Sequence, residues 1–120
     1  MITYNRFDHV YISVPPGSEH DAHLFYTNVM GFEPTVRPSV FNSSKGYWYQ
    51  LPGMELHIGT EDGTPLSKQH FAMEVADLEA PHKHLVANGI QIVEEIPIPG
   101  RNRFTFKDPF GNRIELLEYV

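Results

Sequence analysis

The sequence predicts an α+β fold made of two tandem modules, each with the element order βαβββ. The first reason is internal repetition, because two short stretches of the first half return in the second. Phe7-Asp8-His9-Val10 is matched by Lys68-Gln69-His70-Phe71, and Met54-Glu55-Leu56-His57 is matched by Arg113-Ile114-Glu115-Leu116. The spacing is also nearly the same, from residue 9 to 55 and from 70 to 115. A repeat of about 60 residues indicates a duplicated module rather than a solenoid, whose repeats run to roughly 50 residues.

The second reason is that both halves give the same order of secondary structure. In the first half, residues 7–14 alternate like a strand and stop at Pro15-Pro16-Gly17. Ser18 with Asp21 forms a capping-box signature, and Gly31 stands where a helix would end, which predicts a helix between them. The strands expected after this helix are 32–37, 47–51 and 54–59.

The second half repeats these elements. Residues 69–75 are expected to form a strand, Asp77 to cap a helix, and Gly89 to end that helix. The strands expected after it are 90–96, 103–107 and 113–119. In each half the last two strands are joined by residues typical of tight turns, Leu51-Pro52-Gly53 and Asp108-Pro109-Phe110-Gly111-Asn112.

Length and composition favour one domain. A chain of 120 residues, 41% of them hydrophobic, can bury one core but not two independent ones. We therefore predict a single domain over residues 5–119, with module one at 5–59, a linker at 60–67 and module two at 68–119.

Charge and composition exclude several kinds of partner. A net charge of −6, with only 9 lysines and arginines, argues against binding a nucleic acid backbone. The chain has no cysteine, so it has neither disulfides nor a thiolate nucleophile. No apolar stretch approaches the roughly 20 residues that span a bilayer. The start of the sequence lacks the pattern of a secretion signal. We expect a cytoplasmic protein without a membrane partner.

The repeat itself outlines a metal site. Each half offers one histidine and one glutamate at matching positions, and a two-fold arrangement would bring all four side chains together. The four residues are His9, Glu55, His70 and Glu115. Two imidazoles with one or two carboxylates suit one divalent ion of iron, manganese, nickel or zinc. The alternative is that both histidines are core residues with satisfied hydrogen bonds.

Four segments in order resemble the vicinal oxygen chelate superfamily, which includes glyoxalase I, fosfomycin-resistance enzymes, extradiol dioxygenases and bleomycin-binding proteins. The segments are Asp8-His9-Val10, Phe25-Tyr26 with Val29-Met30-Gly31-Phe32, His70-Phe71-Ala72-Met73-Glu74-Val75, and Asp108-Pro109-Phe110-Gly111-Asn112-Arg113-Ile114-Glu115. The resemblance implies that the strands of two modules form an open, curved mixed sheet around a cavity for a metal and a ligand. It also implies metal ligands on the first and last strand of each module, at His9, Glu55, His70 and Glu115, and a homodimer in which modules pair within a chain or swap between chains.

One position leaves two ligand choices open. His57 lies two residues after Glu55 and so faces the same side of the strand. Either residue can be the fourth ligand, with the other as a general base or a substrate contact. The stretch Leu56-His57-Ile58-Gly59 resembles short glyoxalase-like proteins and favours a role for His57. A site of His9, His70 and Glu115 alone would need neither. The candidate catalytic residues are Glu55, His57 and Glu115.

Three further residues are candidates for substrate contacts: Tyr11, Trp48 and Arg103. Tyr11 shares the face of His9 by strand alternation, and Trp48 and Tyr49 point in opposite directions, so that one is core and the other is exposed to the site. Arg103 follows a loop at 97–100 and can clamp an anion or simply be solvated. The remaining histidines, His20 with His23 and His82 with His84, are interpreted as surface residues on helices.

The function expected from these observations is a glyoxalase-like, metal-dependent lyase, isomerase or resistance-type transferase. Its substrate would be a small oxygen-bearing metabolite or xenobiotic held by two oxygens on the metal. Two alternatives remain open: a metal-free drug-binding or metabolite-binding protein of the bleomycin-resistance type, and a non-haem iron dioxygenase of the extradiol type.

Overall fold

The fold is taken from a computed structural model that describes residues 1, 3–43, 45–63 and 68–120. The chain divides into two compact units, Met1–Gly63 and Thr64–Val120. The first unit contains β1 (His9–Val14), α1 (Glu19–Leu24), a π-helical turn (Phe25–Val29), β2 (Glu33–Thr35), a 3₁₀ turn (Ser39–Phe41), β3 (Tyr47–Leu51) and β4 (Met54–Thr60). The second contains β5 (His70–Glu74), α2 (Glu79–Ala87), β6 (Val93–Glu94), β7 (Arg101–Lys107) and β8 (Arg113–Tyr119).

Each unit is built on one mixed four-stranded sheet with the same topology. The strand order is β1-β4-β3-β2 in the first unit and β5-β8-β7-β6 in the second. The first and last strands of each unit, β1 with β4 and β5 with β8, run parallel, and the other pairs are antiparallel. The predicted α+β class with two βαβββ modules is confirmed.

Strand alternation gives the first sheet one apolar face and one polar face. The apolar face packs against the first helix, where Tyr26 lies 6.1 Å from Tyr49 between ring centroids. The buried apolar residues of this unit, on the sheet and on the helical segment that covers it, are Val14, Ala22, Phe25, Tyr26, Tyr49, Leu51, Leu56 and Ile58. Residues at the alternate positions therefore project from the other face. This polar face carries His9, Tyr11, Trp48, Glu55 and His57.

The second sheet is divided in the same way. Its apolar face buries Phe104, Phe106, Ile114 and Leu116, together with Leu85 of α2. The alternate positions of β5, β7 and β8 include His70, Arg103 and Glu115. The two halves of the metal-ligand prediction thus lie on the polar faces of their own sheets.

The turn between β7 and β8 is fixed by the side chain of Asp108, which is buried. One carboxylate oxygen accepts hydrogen bonds from the backbone N–H groups of Phe110 and Asn112, at 2.9 and 2.8 Å. The other accepts a bond from the Asn112 side-chain amide at 2.8 Å. The turn residues predicted from the sequence therefore hold the last strand in register.

The helix ends differ in part from the sequence prediction. The capping box at Ser18 was wrong: Ser18 occupies the N-cap, but its side chain makes no capping bond and its backbone (φ −100°, ψ 7°) lies outside the extended region that such a cap needs. Glu19 instead accepts a hydrogen bond from the N–H of Gly17 at 3.2 Å. In the second helix Leu78 occupies the N-cap, one residue after the predicted Asp77, but the Asp77 carboxylate accepts the N–H of Ala80 at 3.1 Å and so satisfies a donor of the first turn.

Two of the four histidines interpreted as surface residues are packed. His23 is hydrogen-bonded through Nδ1 to the hydroxyl of buried Tyr49 at 2.7 Å and stacks on Tyr47 at 4.1 Å. Burial lowers the pKa of His23. His82 meets the ring of Phe104 edge-on at 5.5 Å. Helix periodicity alone did not reveal these contacts, because they depend on which helix face the sheet covers.

In the described part of the chain no helix has both the length and the apolar character required to cross a membrane.

Candidate functional site

His9 and Glu55, predicted as metal ligands, are direct neighbours in the first unit. They are register partners where β1 runs parallel to β4. The Nε2 atom of His57 lies 2.9 Å from Oε1 of Glu55. Since a carboxylate oxygen only accepts, His57 donates this bond. The sequence left Glu55 and His57 as alternatives, and the structure shows them as hydrogen-bonded partners.

The ring of His9 is oriented by the residue before it. Its Nδ1 lies 2.9 Å from a carboxylate oxygen of Asp8. This hydrogen bond lowers the pKa of Asp8, with a further contribution from Arg6, whose guanidinium lies 3.3 Å from the carboxylate. Because Nδ1 donates to Asp8, the lone pair of a neutral His9 is on Nε2. Sequence reasoning gave Asp8 no role, although the Asp8-His9 dipeptide was part of the repeat that drew attention to His9.

Three rings on neighbouring strands of the first unit form a stack. The rings of His9 and His57 lie 4.1 Å apart between centroids, with an interplanar angle of 16°. The ring of Trp48 lies 3.7 Å from that of His57 at 5°. His57 is therefore held between His9 and Trp48, and its side chain is only 10% exposed. Of the adjacent pair on β3, Tyr49 is the core residue and Trp48 the one on the polar face, as alternation predicts.

Two substitutions at His57 separate stacking from hydrogen bonding. His57→Phe keeps a ring between His9 and Trp48 but loses the bond to Glu55, whereas His57→Gln keeps a donor and loses the ring. Since stacked aromatic pairs contribute about 0.5–1.5 kcal/mol each, we expect His57→Gln to be about 1 kcal/mol less stable than His57→Phe. Urea unfolding followed by Trp48 fluorescence measures the difference, and equal stabilities would show that the stack contributes little.

Tyr11 is also on the polar face of the first unit and is half exposed. Its ring lies against Gly59, where any added Cβ would clash with it. Its hydroxyl donates to a carboxylate oxygen of Glu61 at 3.4 Å. Partial burial, with the Glu61 charge, raises the pKa of Tyr11. The Tyr11 hydroxyl is thus kept protonated, on the same face of the sheet as His9.

The second unit brings its own pair together, although the residues are not register partners. His70 pairs with Arg113 along the strands, and Glu115 with Ala72. Even so, Nε2 of His70 lies 3.6 Å from Oε1 of Glu115. Nδ1 of His70 donates to the carbonyl oxygen of Lys68 at 2.9 Å. As with His9, the hydrogen bond at Nδ1 leaves Nε2 as the nitrogen that carries the lone pair.

Arg103 lies on β7, as the strand predicted at 103–107 placed it. The strand begins two residues earlier than predicted, at Arg101, because Arg101 pairs with Tyr119. Nη1 of Arg103 donates to Oε1 of Glu115 at 3.1 Å, and its Nη2 donates to the carbonyl oxygen of Ile96 at 2.9 Å. Arg103, a candidate for substrate contact, is therefore hydrogen-bonded to Glu115, a candidate metal ligand.

A second ion pair, between Glu95 and Arg113, lies near the pair of Arg103 with Glu115. Glu95 accepts a hydrogen bond from the Thr105 hydroxyl at 2.7 Å and forms an ion pair with Arg113. The Thr105 bond, together with Arg113, lowers the pKa of Glu95. The sequence gave no signal for this pair, because Glu95 lies in a stretch that was predicted as an ordinary strand.

The candidate ligands thus form two donor pairs, His9 with Glu55 and His70 with Glu115, each within its own unit. Among the residues that the structure describes, no group of three or more histidines and carboxylates is close enough to hold a metal ion. The donor chemistry nevertheless fits a divalent transition metal. Each pair offers one imidazole and one carboxylate, and a hydrogen bond at Nδ1 orients each imidazole, as is usual for metal-binding histidines.

Comparisons with known proteins show the family to which the chain belongs and agree with its fold. Residues 6–116 match the family model of the Glyoxalase/Bleomycin resistance protein/Dioxygenase superfamily. The chain is similar to a solved glyoxalase family protein from Bacillus anthracis, with 33% identity, 100% of each chain covered and a TM-score of 0.92.

More distant structures share the fold. The fosfomycin resistance protein FosX from Listeria monocytogenes is 17% identical, with a TM-score of 0.78 over 98% of this chain and 96% of that one. The antibiotic-binding protein TnmS3 from Streptomyces sp. CB03234 is 22% identical, with a TM-score of 0.74 over 98% of this chain and 100% of that one. The search of curated proteins gave no match.

Proposed function

Since the chain belongs to the glyoxalase, bleomycin resistance protein and dioxygenase superfamily, we propose that it is a metal-dependent enzyme of the glyoxalase-like kind. Its substrate is a small oxygen-bearing metabolite or xenobiotic, and its reaction is that of a lyase, an isomerase or a resistance-type transferase. The proposal includes one divalent ion of iron, manganese, nickel or zinc per chain, and a homodimeric protein in the cytoplasm.

The observation that carries the proposal is the equivalent state of the two histidines. Nδ1 of His9 is held by Asp8, and Nδ1 of His70 by the carbonyl of Lys68, each at 2.9 Å. In both, Nε2 is the nitrogen left to bind a metal. A core histidine would have no need for the same orientation at both repeat positions, each beside a glutamate.

We propose that His9 with Glu55 and His70 with Glu115 supply the donors for the ion. When bound, a divalent ion with open coordination positions accepts two neighbouring substrate oxygens and stabilises the negative charge that develops on them. His57 orients Glu55 by donating to its Oε1, and this supports Glu55 rather than His57 as the ligand.

Proton transfer is assigned to the glutamates. Glu55 is about one-third exposed, and because His57 holds its first carboxylate oxygen, the second oxygen is the one that binds the ion or, when it is not bound to the ion, accepts a proton from the substrate. Glu115 has the same role on the second sheet. Tyr11 and Trp48, on the face that carries His9, contact the body of the substrate.

A small bidentate ligand tests this function without knowledge of the substrate. Acetohydroxamic acid offers two neighbouring oxygens, and its binding is measured by calorimetry on chelator-treated protein and on protein reloaded with iron, manganese, nickel or zinc. We expect binding only to the metal-loaded protein, and its loss in His9→Ala. The control variant His20→Ala, at an exposed helix position, retains it.

The alternatives give different results in the same experiment. Equal binding with and without metal would favour a metal-free binding protein and overturn the proposal. Binding restricted to iron-loaded protein, with oxygen uptake on addition of a catechol, would favour the dioxygenase.

A further inference from the structure

We propose that Arg103 is an internal counter-ion of Glu115. The guanidinium of Arg103 must move away from this carboxylate before a divalent metal ion binds to it. The inference rests on the proposed function, because it concerns one of the four proposed metal donors. It adds a regulating residue to the site: the affinity for metal depends on the free energy needed to move one guanidinium group.

The first step of the argument is the burial of Glu115. Its side chain is 8% exposed, and an unpaired carboxylate in such a position is strongly disfavoured. Arg103 supplies the compensating charge at 3.1 Å, while its other terminal nitrogen is anchored to the carbonyl of Ile96. The metal-free protein is therefore stabilised by this ion pair.

The second step is competition for one atom. Oε1 of Glu115 is the acceptor for Arg103, and it is also the atom nearest to Nε2 of His70, at 3.6 Å. A metal ion shared by His70 and Glu115 would use this oxygen, because it is the one that faces Nε2 of His70. The guanidinium would then lie beside a doubly charged cation bound to the same carboxylate. Like charges this close together repel strongly in a partly buried site.

The third step is that the guanidinium of Arg103 can occupy a second position. It lines a cavity of about 460 Å³ within the second unit, between α2 and the start of β7. Four carboxylates, those of Glu79, Glu94, Glu95 and Glu118, line the same cavity. In its present position the Nε atom of Arg103 is buried without a hydrogen-bond partner among the described residues. Of these acids, Glu95 bonds Thr105 and so lies on the same face of the sheet as Arg103, and rotation of the Arg103 side chain, with no change in the pairing of β7 and β8, would turn the guanidinium toward Glu95.

Removal of the Arg103 guanidinium should therefore lower the stability of the metal-free protein and raise its affinity for metal. Removing the guanidinium takes a stabilising charge from the metal-free protein and also removes the competitor of the metal ion. An arginine that only supports the fold would give a different result, since its loss would lower stability and weaken metal binding or leave it unchanged.

The experiment compares Arg103→Met with the wild type by calorimetric titration with zinc and manganese, and by melting of the chelator-treated protein. We expect Arg103→Met to bind metal about tenfold more tightly or better, in the range of effects seen for groups around metal ligands, and to melt at a lower temperature without metal.

Lys83→Met, which removes a cation from the rim of the same cavity, serves as the matched control and leaves the metal affinity and the melting temperature unchanged. Arg103→Lys keeps a charge but not both hydrogen bonds, and we expect it to be intermediate in affinity; it replaces Arg103→Met if that variant does not fold.

Glu115→Gln distinguishes the failure of this inference from the failure of the proposed function. If Glu115→Gln loses metal binding while the Arg103 variants bind no more tightly than the wild type, the counter-ion role is overturned and the ligand assignment remains. If Glu115→Gln binds metal as the wild type does, Glu115 is not a ligand and both are overturned.

Discussion

Replacing His70 by alanine is expected to weaken the binding of a divalent metal ion by more than about 100-fold, because loss of a partner outside the ligand shell alone costs roughly 10- to 100-fold. His9→Ala is expected to have the same effect. The melting temperature of the metal-free protein should change little, since the His70 side chain is more than one-third exposed and lies on the polar face of its sheet. Calorimetric titration with zinc and manganese measures the affinities.

His84→Ala is the matched control, because His84 is an exposed histidine on α2 that has no place in the proposed site. Its affinity should equal that of the wild type. Metal binding that persists in both His9→Ala and His70→Ala would remove these residues from the site, whatever the metal content of the protein.

Asp108→Ala is expected to have the largest effect on stability among the residues outside the apolar core. Its carboxylate accepts hydrogen bonds from the backbone N–H groups of Phe110 and Asn112 and from the side-chain amide of Asn112. Since a buried donor left unsatisfied costs about 1–3 kcal/mol, we expect a loss of about 3–4 kcal/mol in the free energy of unfolding. Urea denaturation measures it directly.

Asp77→Ala provides the comparison, because Asp77 makes one capping bond at an exposed position, and such caps contribute about 1 kcal/mol. If Asp108→Ala were no more destabilising than Asp77→Ala, the turn between β7 and β8 would not depend on the Asp108 network as we describe.

Much of the fold follows from local patterns in the sequence. The bounds of β3 and β8 coincide with the predicted 47–51 and 113–119, because alternating residues and strong turn signals flank both strands. The short strands β2 and β6 were predicted too long. Their outer residues have no partner strand to pair with in the described sheets, and propensity alone does not show where pairing ends.

The candidate site was predictable only in its residue types. Repetition indicated which histidines and glutamates to compare, and alternation placed Glu55 and His57 on one face. The hydrogen bond between them, and the position of His57 between two other rings, depend on rotamers that packing selects. The sequence also predicted the strand that carries Arg103 but not its bond to Glu115, because that bond depends on how side chains of neighbouring strands meet.

The central claim is that this chain binds a divalent metal ion, and elemental analysis of the untagged protein tests it most directly. The measurement is made on protein as purified and after chelation and reloading with iron, manganese, nickel and zinc, with the melting temperature followed in parallel. We predict about one ion per chain and a higher melting temperature in the loaded state, as expected for a ligand that binds only the folded protein. No bound metal after reloading, with an unchanged melting temperature, would contradict the account and give His9, Glu55, His70 and Glu115 a structural role.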